Sequence, residues 1–361
     1  MSSVSSCWMD QAGKWFLRSG IQEPHGGVAR YYRSDVGANA RISTEITGYA
    51  ASTLVWLHRA TGEEEYLAAA RRAGLFLVRQ AWDPAAATLP FEYAVDGELP
   101  RAFFFDLGII VRGLVALFEA TGEREFLASA QACAASMARD FAAGGEFHPI
   151  VTLPDKQPVP REARWSRHPG CYQLKSALGW YELYRQTGQA DYQAGFEQVL
   201  AYALATQAAF LPGETQPERV MDRLHAYCYF LEGLLPCAGR AECAAALAEG
   251  LGRVTRGCEE LGPVFERSDV LAQTLRLRLL AARLGALPLE EARAAREAAR
   301  VRSYQFEHPD PRIGGGFGFG RKGAELLPYV NPVSTAFALQ ALEMWRQHQA
   351  GRLESAWQTL I

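Results

Sequence analysis

Gly48–Leu67 reads GYAASTLVWLHRATGEEEYL, Leu107–Leu127 reads LGIIVRGLVALFEATGEREFL, and Tyr172–Tyr192 reads YQLKSALGWYELYRQTGQADY. Aligned on their Thr-Gly step, the three stretches share one design: an apolar helix, a Thr-Gly-Glu/Gln turn and the start of a second helix. The turns at Thr61, Thr121 and Thr187 recur at roughly sixty-residue spacing, which leaves room for two helices and one long connection. Glycine after threonine suits the left-handed backbone that ends a helix, and the acidic residues that follow favour the start of the next one.

Weaker copies extend the series. Met221 to Cys237 followed by Ala241 to Cys258 reads as a fourth hairpin, and Asp269 to Leu284 followed by Leu289 to Tyr304 as a fifth. Val333 to His348 is a sixth first helix without a partner, and the amphipathic stretch near Ser5 to Arg18 is a partner without a first helix. Pairing those two predicts an all-α fold, an (α/α)6 barrel or toroid of six helical hairpins, with residues 1–361 as one domain and the N-terminal helix closing the ring. First helices are apolar nearly all round and rich in small residues (Ala50, Ala51, Ser52; Ser176, Ala177, Gly179), as suits helices buried on both sides. Second helices carry charge on one face, as at Glu64, Arg71, Arg72 and Arg79, and are expected to meet solvent.

Composition narrows the function classes. A net charge of -3 offers no basic field for a phosphate backbone, so nucleic acid is excluded as a partner. The seven cysteines are odd in number and form no CxxC pair, which points to reduced, buried thiols and away from a zinc site; no metal and no cofactor is expected. Met1 to Gly20 interrupts its apolar residues with Asp10, Lys14 and Arg18, so the sequence predicts no membrane segment and a cytoplasmic protein, monomeric or homodimeric. No DDxxD or DxDD cluster supports terpene or prenyl chemistry.

The long connections lead into the N-terminal ends of the first helices, which would converge at one mouth of a barrel. Each end carries polar residues: Arg41, Glu45 and Tyr49; Arg101 and Asp106; Arg167, His168, Tyr172 and Lys175; Asp222, Arg223 and His225; Arg267, Asp269 and Gln273; Tyr329, Asn331 and Ser334. Singly, each has an ordinary reading. Asp106, Asp222 and Asp269 suit caps or first-turn acids, and His225 with Tyr229 suits a satisfied core pair. Recurrence at six helix starts is what capping alone does not explain. Aromatic residues in the connections, Phe103-Phe104-Phe105 and Trp165, stand beside these acids and arginines, the composition of a sugar site. Gly314 to Lys322 (GGGFGFGRK) follows no strand and opens no helix of a dinucleotide site; it reads as a flexible lid.

In architecture the chain resembles the six-hairpin barrel superfamily of carbohydrate-active proteins, which includes unsaturated glucuronyl hydrolases, N-acylglucosamine 2-epimerases and the helical domain of glucuronyl C5-epimerases. Phe105-Asp106-Leu107-Gly108 is similar to the His-Asp-Leu-Gly stretch of the glucuronyl hydrolases, whose aspartate is catalytic, and the resemblance implies an acid/base role for Asp106. Those enzymes have a second aspartate at the next inner helix, where this chain has His168 and Tyr172. Glu45 supplies a second carboxylate, and two carboxyl groups suffice for glycosidic cleavage. The expectation is therefore a glycoside hydrolase acting on an oligosaccharide or uronic-acid-containing glycan, with Asp106, Glu45 and His168 in its chemistry. Arg41, Tyr49, Arg101, Trp165, Tyr172, Lys175, Asp222, His225, Gln273, Tyr329 and Asn331 would hold the sugar. A sugar epimerase working through His168 and His225, and a glycan-binding protein without chemistry, are the alternatives.

Overall fold

The computed structural model describes residues 7–93, 99–162 and 164–361. Among them are twelve α-helices: α1 (Cys7–Arg18), α2 (Thr44–Thr61), α3 (Glu64–Phe76), α4 (Phe104–Thr121), α5 (Arg124–Asp140), α6 (Gln173–Thr187), α7 (Ala190–Thr206), α8 (Pro217–Leu234), α9 (Ala241–Leu261), α10 (Ser268–Arg283), α11 (Glu291–Arg302) and α12 (Pro332–Gln349). Ser5, the expected start of the first helix, lies outside the described residues. Two compact units divide the chain. One comprises Gln22–Arg30 and Ala40–Gln207 and holds α2 to α7; the other comprises Met1–Ile21, Tyr31–Asn39 and Ala208–Ile361 and holds α1 and α8 to α12.

The repeated turns explain the hairpins of the α2–α7 unit. Gly62, Gly122 and Gly188 adopt φ of 77°, 72° and 72° and end α2, α4 and α6 in the left-handed region. The threonine before each glycine works twice. Its hydroxyl donates to the carbonyl four residues back (Leu57, Leu117, Leu183; 2.8 Å each) and accepts from the amide two residues on (Glu63, Glu123, Gln189). Orphan groups at the end of one helix and the start of the next are thereby satisfied within a few residues.

Small residues then set how closely the inner helices pack. A methyl group added to Gly113 of α4 would lie 2.6 Å from the carbonyl oxygen of Gly48 on α2, and one added to Gly108 would lie 2.4 Å from that of Ser176 on α6. Backbones in such proximity leave no room for a Cβ. Helices α2, α4 and α6 thus run side by side with their first turns adjacent, and α3, α5 and α7 pack outside them. In the other unit α10 packs against α8 and α12, with α9 and α11 outside, and α1 packs against α12, as pairing the two unmatched helices of the series predicted.

The connections are more ordered than their composition suggests. Gly314 to Lys322 is no loose lid. Phe317 is fully buried, its amide donates to Thr335 Oγ1, and Gly320–Lys322 pairs with Phe265–Arg267 and with Glu325–Leu326. Its glycines are there because backbone crowds them: a Cβ on Gly314 would meet the His308 carbonyl oxygen at 2.1 Å, and one on Gly315 would meet that of Gln11 at 2.3 Å. Among the described residues no helix is long and apolar enough to cross a membrane.

Candidate active site

The first turns of α2, α4 and α6 bring Glu45, Asp106 and Lys175 together, with the connections supplying the surrounding walls. Ser43 caps α2 by accepting from the Ile46 amide, which leaves Glu45 in the first turn with its carboxyl uncommitted to the cap. Asp106 is the third residue of α4, whose start is tied down by the Phe104 amide donating to the Pro149 carbonyl (3.0 Å) and by pairing of Arg101–Phe103 with Ile150–Thr152. Lys175 follows Gln173, which fastens the start of α6 through its side chain to the Phe147 carbonyl and the Gly170 amide.

Asp106 is 6% exposed, and its Oδ2 is buried with no hydrogen-bond partner among the described residues. Burial, reinforced by the negative charge of Glu45, holds its pKa well above the usual carboxylate range. Glu45 is only partly covered at its surface but lies deep enough that desolvation raises it to about 7, against the pull of Arg30 and then Lys175. Burial thus raises both carboxyl groups and the Glu45 charge raises Asp106 further, so the pair gives up its protons at higher pH than free carboxyl groups do.

Arg30 and Glu92 complete this site and were not among the residues anticipated from sequence. Val28–Ala29 pairs with Ile42–Ser43, and the Val28 amide donates to Thr47 Oγ1, so the chain delivers Arg30 to the entrance of α2. Residues 91–93 run beside 42–44 and present Glu92 to both Arg30 and Arg41, each at 3.0 Å. Arg41 therefore joins the rim through Glu92.

The aromatic residues divide. Phe104 is core, packed on Phe141, Phe147 and Trp180. Phe105 and Trp165 instead stand against Tyr172, at ring separations of 6.2 and 5.0 Å, and form an apolar wall next to Asp106. The Tyr172 hydroxyl donates to the His168 carbonyl (3.0 Å), so the backbone of His168 anchors this wall. Tyr49 lies under the Lys175 ammonium, 5.6 Å from its ring centre. Arg101 is exposed on its strand, outside this enclosure.

The remaining anticipated residues lie in the α8–α12 unit and form a second polar cluster. Arg267 reaches Asp269 with two hydrogen bonds (3.0 and 2.6 Å) and Asp222 with a third (2.5 Å), and its guanidinium lies 4.6 Å over the Phe319 ring. Burial works against the charge of Asp269, but Arg267 and His225 outweigh it and hold Asp269 below its ordinary value. His225 Nδ1 pairs with Gln273 Oε1 (2.8 Å), and desolvation, aided by Arg267, depresses the imidazole to about 4. It is a neutral histidine at physiological pH. Tyr329 packs against Tyr31 and Phe319. Asn331 caps α12, its Oδ1 accepting from the Val333 and Ser334 amides (2.8 and 3.0 Å), so the carbonyl end of that side chain is committed to the helix. Among the described residues no three His, Cys, Asp or Glu side chains are grouped as metal ligands would be.

No family model and no curated protein matches the sequence. Solved structures do. A cellobiose 2-epimerase from Spirochaeta thermophila is 16% identical, with 96% of this chain and 97% of that one covered and a TM-score of 0.68. A D-mannose isomerase is 9% identical over 95% and 97%, with a TM-score of 0.69. A family 76 glycoside hydrolase from a bovine Bacteroides thetaiotaomicron strain is 13% identical over 94% and 78%, with a TM-score of 0.60. What this chain shares with these sugar-acting enzymes is their fold, the all-helical (α/α)6 barrel.

Proposed function

We propose that the protein is a carbohydrate-active enzyme that cleaves a glycosidic bond, with Asp106 as proton donor and Glu45 as the carboxylate opposite it. The observation that carries this reading is the buried pair itself: two carboxyl groups on adjacent helix starts, with Asp106 Oδ2 buried and without a hydrogen-bond partner among the described residues and both groups raised above the ordinary carboxylate range. Such a pair meets the two requirements of glycoside hydrolysis. Asp106 gives its proton to the departing glycosidic oxygen, and Glu45, ionised, either attacks the anomeric carbon or takes a proton from the water that does so. Phe105, Trp165 and Tyr172 offer ring faces to a pyranose, and Arg30, Arg41 and Glu92 offer planar hydrogen-bonding groups to its hydroxyls. The barrel's solved neighbours, whose names speak of epimerase, isomerase and glycoside hydrolase, are in keeping with a sugar substrate.

Asp106→Asn removes the transferable proton at almost constant shape. Turnover of oligosaccharide substrates should fall on the order of 10³-fold with sugar binding retained. Unchanged turnover in this variant would sink the assignment. A second reading, proton exchange at a sugar carbon, is favoured by His225. Gln273 fixes its Nδ1 and its depressed pKa keeps it neutral, as a base acting near pH 7 must be. That reaction would carry solvent deuterium into the sugar without cleavage and would lose the exchange in His225→Ala. Sugar affinity with neither product would mark a binding protein.

A further inference from the structure

Gln273 lies wholly inside the α8–α12 unit, and among the described residues its Nε2 has no hydrogen-bond partner. A buried donor left unmet is costly, so the amide owes its orientation to its other end. That end, Oε1, lies 2.8 Å from Nδ1 of His225 on the neighbouring helix α8. The same Nδ1 stands 3.7 Å from Oδ2 of Asp269, one turn before Gln273 on α10. Asp269 is an ionised carboxylate, held by two hydrogen bonds from Arg267 and one from the Val270 amide. A lone pair on Nδ1 would face two acceptor oxygens, whereas an N–H suits both. We propose that Gln273 is a positioning residue: with Asp269 it keeps the proton of His225 on Nδ1 and the lone pair on Nε2. The ring then meets a ligand as an acceptor, and its partner is a sugar hydroxyl or an acidic C–H, not a carboxylate or carbonyl oxygen. The ligand rests on the reading of His225 as a base toward sugar; the tautomer does not.

The other groups around the ring leave that choice in place. Burial, reinforced by the charge of Arg267, depresses the imidazole to about 4, so at neutral pH the ring carries a single N–H. Where that hydrogen sits is decided by the neighbours of the two nitrogens. Arg267 gives two hydrogen bonds to Asp269 and one to Asp222 and lies over the Phe319 ring, so the guanidinium engages the charge of both acids. Tyr229, one turn further along α8, packs edge-on against the imidazole at 4.5 Å between ring centres and fixes its plane. Among the described residues the hydrogen bond of His225 runs through Nδ1, and none is made at Nε2. About 8% of the residue stays exposed, so the ring is not sealed from a ligand.

Nitrogen-15 NMR of the full-length protein labelled at histidine reads the tautomer directly, with His225→Gln supplying the assignment. At pH 7 the His225 signals should place the proton on Nδ1, with the Nε2–H form at about one-tenth or less. Gln273→Leu removes the acceptor, and the ratio of Nε2–H to Nδ1–H should rise about tenfold, the worth of one hydrogen bond. Gln273→Glu keeps an acceptor at Nδ1 and should keep the proton there. A parent protein protonated at Nε2 would overturn the proposal. So would a folded Gln273→Leu protein whose ring stays wholly in the Nδ1–H form, since Asp269 alone would then set it. Gln273→Met repeats the loss of the acceptor with a side chain of similar length; failure of both apolar variants to fold would make the glutamine structural and overturn the proposal as well. Exchange of solvent deuterium into D-mannose, followed in the same variants, separates the tautomer from the sugar. Exchange that falls several-fold in Gln273→Leu along with the Nδ1–H population joins the proposal to the proton-exchange reading. A changed tautomer in a protein that exchanges nothing leaves Gln273 assigned and that reading refuted.

Discussion

Asp106 and Asp269 occupy nearly the same place in two different inner helices, the third residue of α4 and the second of α10, and both are buried. Their chemical states are opposite. Asp269 accepts two hydrogen bonds from Arg267 and one from the Val270 amide, and its pKa is held down despite burial. Among the described residues Asp106 Oδ2 has no partner, and burial together with a second carboxyl group nearby drives its pKa up. A helix start alone thus does not decide what an acid does there; the side chain across from it does. A saturated carboxylate contributes to stability, whereas an unsaturated one stores a proton at a cost to the fold.

That contrast can be broken from either side. The larger effect is expected at the saturated acid: Asp269→Ala leaves Arg267 buried with only the half-exposed Asp222, and urea unfolding should show a loss of about 3–5 kcal/mol. At the unsaturated pair the sign reverses. The folded state keeps a proton on Glu45 up to about pH 7, while the unfolded chain releases it near 4.5, so this residue costs stability as pH rises through that window. Glu45→Gln should therefore match the parent protein at pH 4 and exceed it at pH 8 by on the order of 2 kcal/mol, read by denaturant titration at the two pH values. A variant less stable than the parent at pH 8 would mean that Glu45 is a structural ion after all.

How much of this could be read from sequence depended on how far apart in the chain the cause lay. The hairpins were legible because the Thr-Gly turn satisfies its own hydrogen bonds within five residues, and Glu45, Asp106 and Lys175 were legible as polar groups at the starts of apolar helices. Arg30 and Glu92 were not, since Arg30 is brought to the pair, and Glu92 to Arg30, only through pairing of short extended segments whose register no periodic pattern announces. The glycine run misled for a related reason. Glycine composition reports freedom in an isolated chain, but at Gly314, Gly315 and Gly320 the missing side chain admits another backbone, and contact replaces freedom. Asn331 was rightly seen as a polar helix start, while its hydrogen bonds assign it to capping.

The three threonine turns also bear on the order in which the chain assembles. Each closes a helical hairpin using groups only two to four residues apart, so little loop entropy is lost before a hairpin can form, an event on the order of microseconds for contacts this local. The acidic pair, by contrast, exists only after separate hairpins have docked along the glycine seam between α2, α4 and α6. Early assembly therefore needs none of the residues that raise the energy of the finished protein. Substitutions at Glu45 or Asp106 should alter mainly how fast it unfolds, leaving the rate at which it folds nearly unchanged.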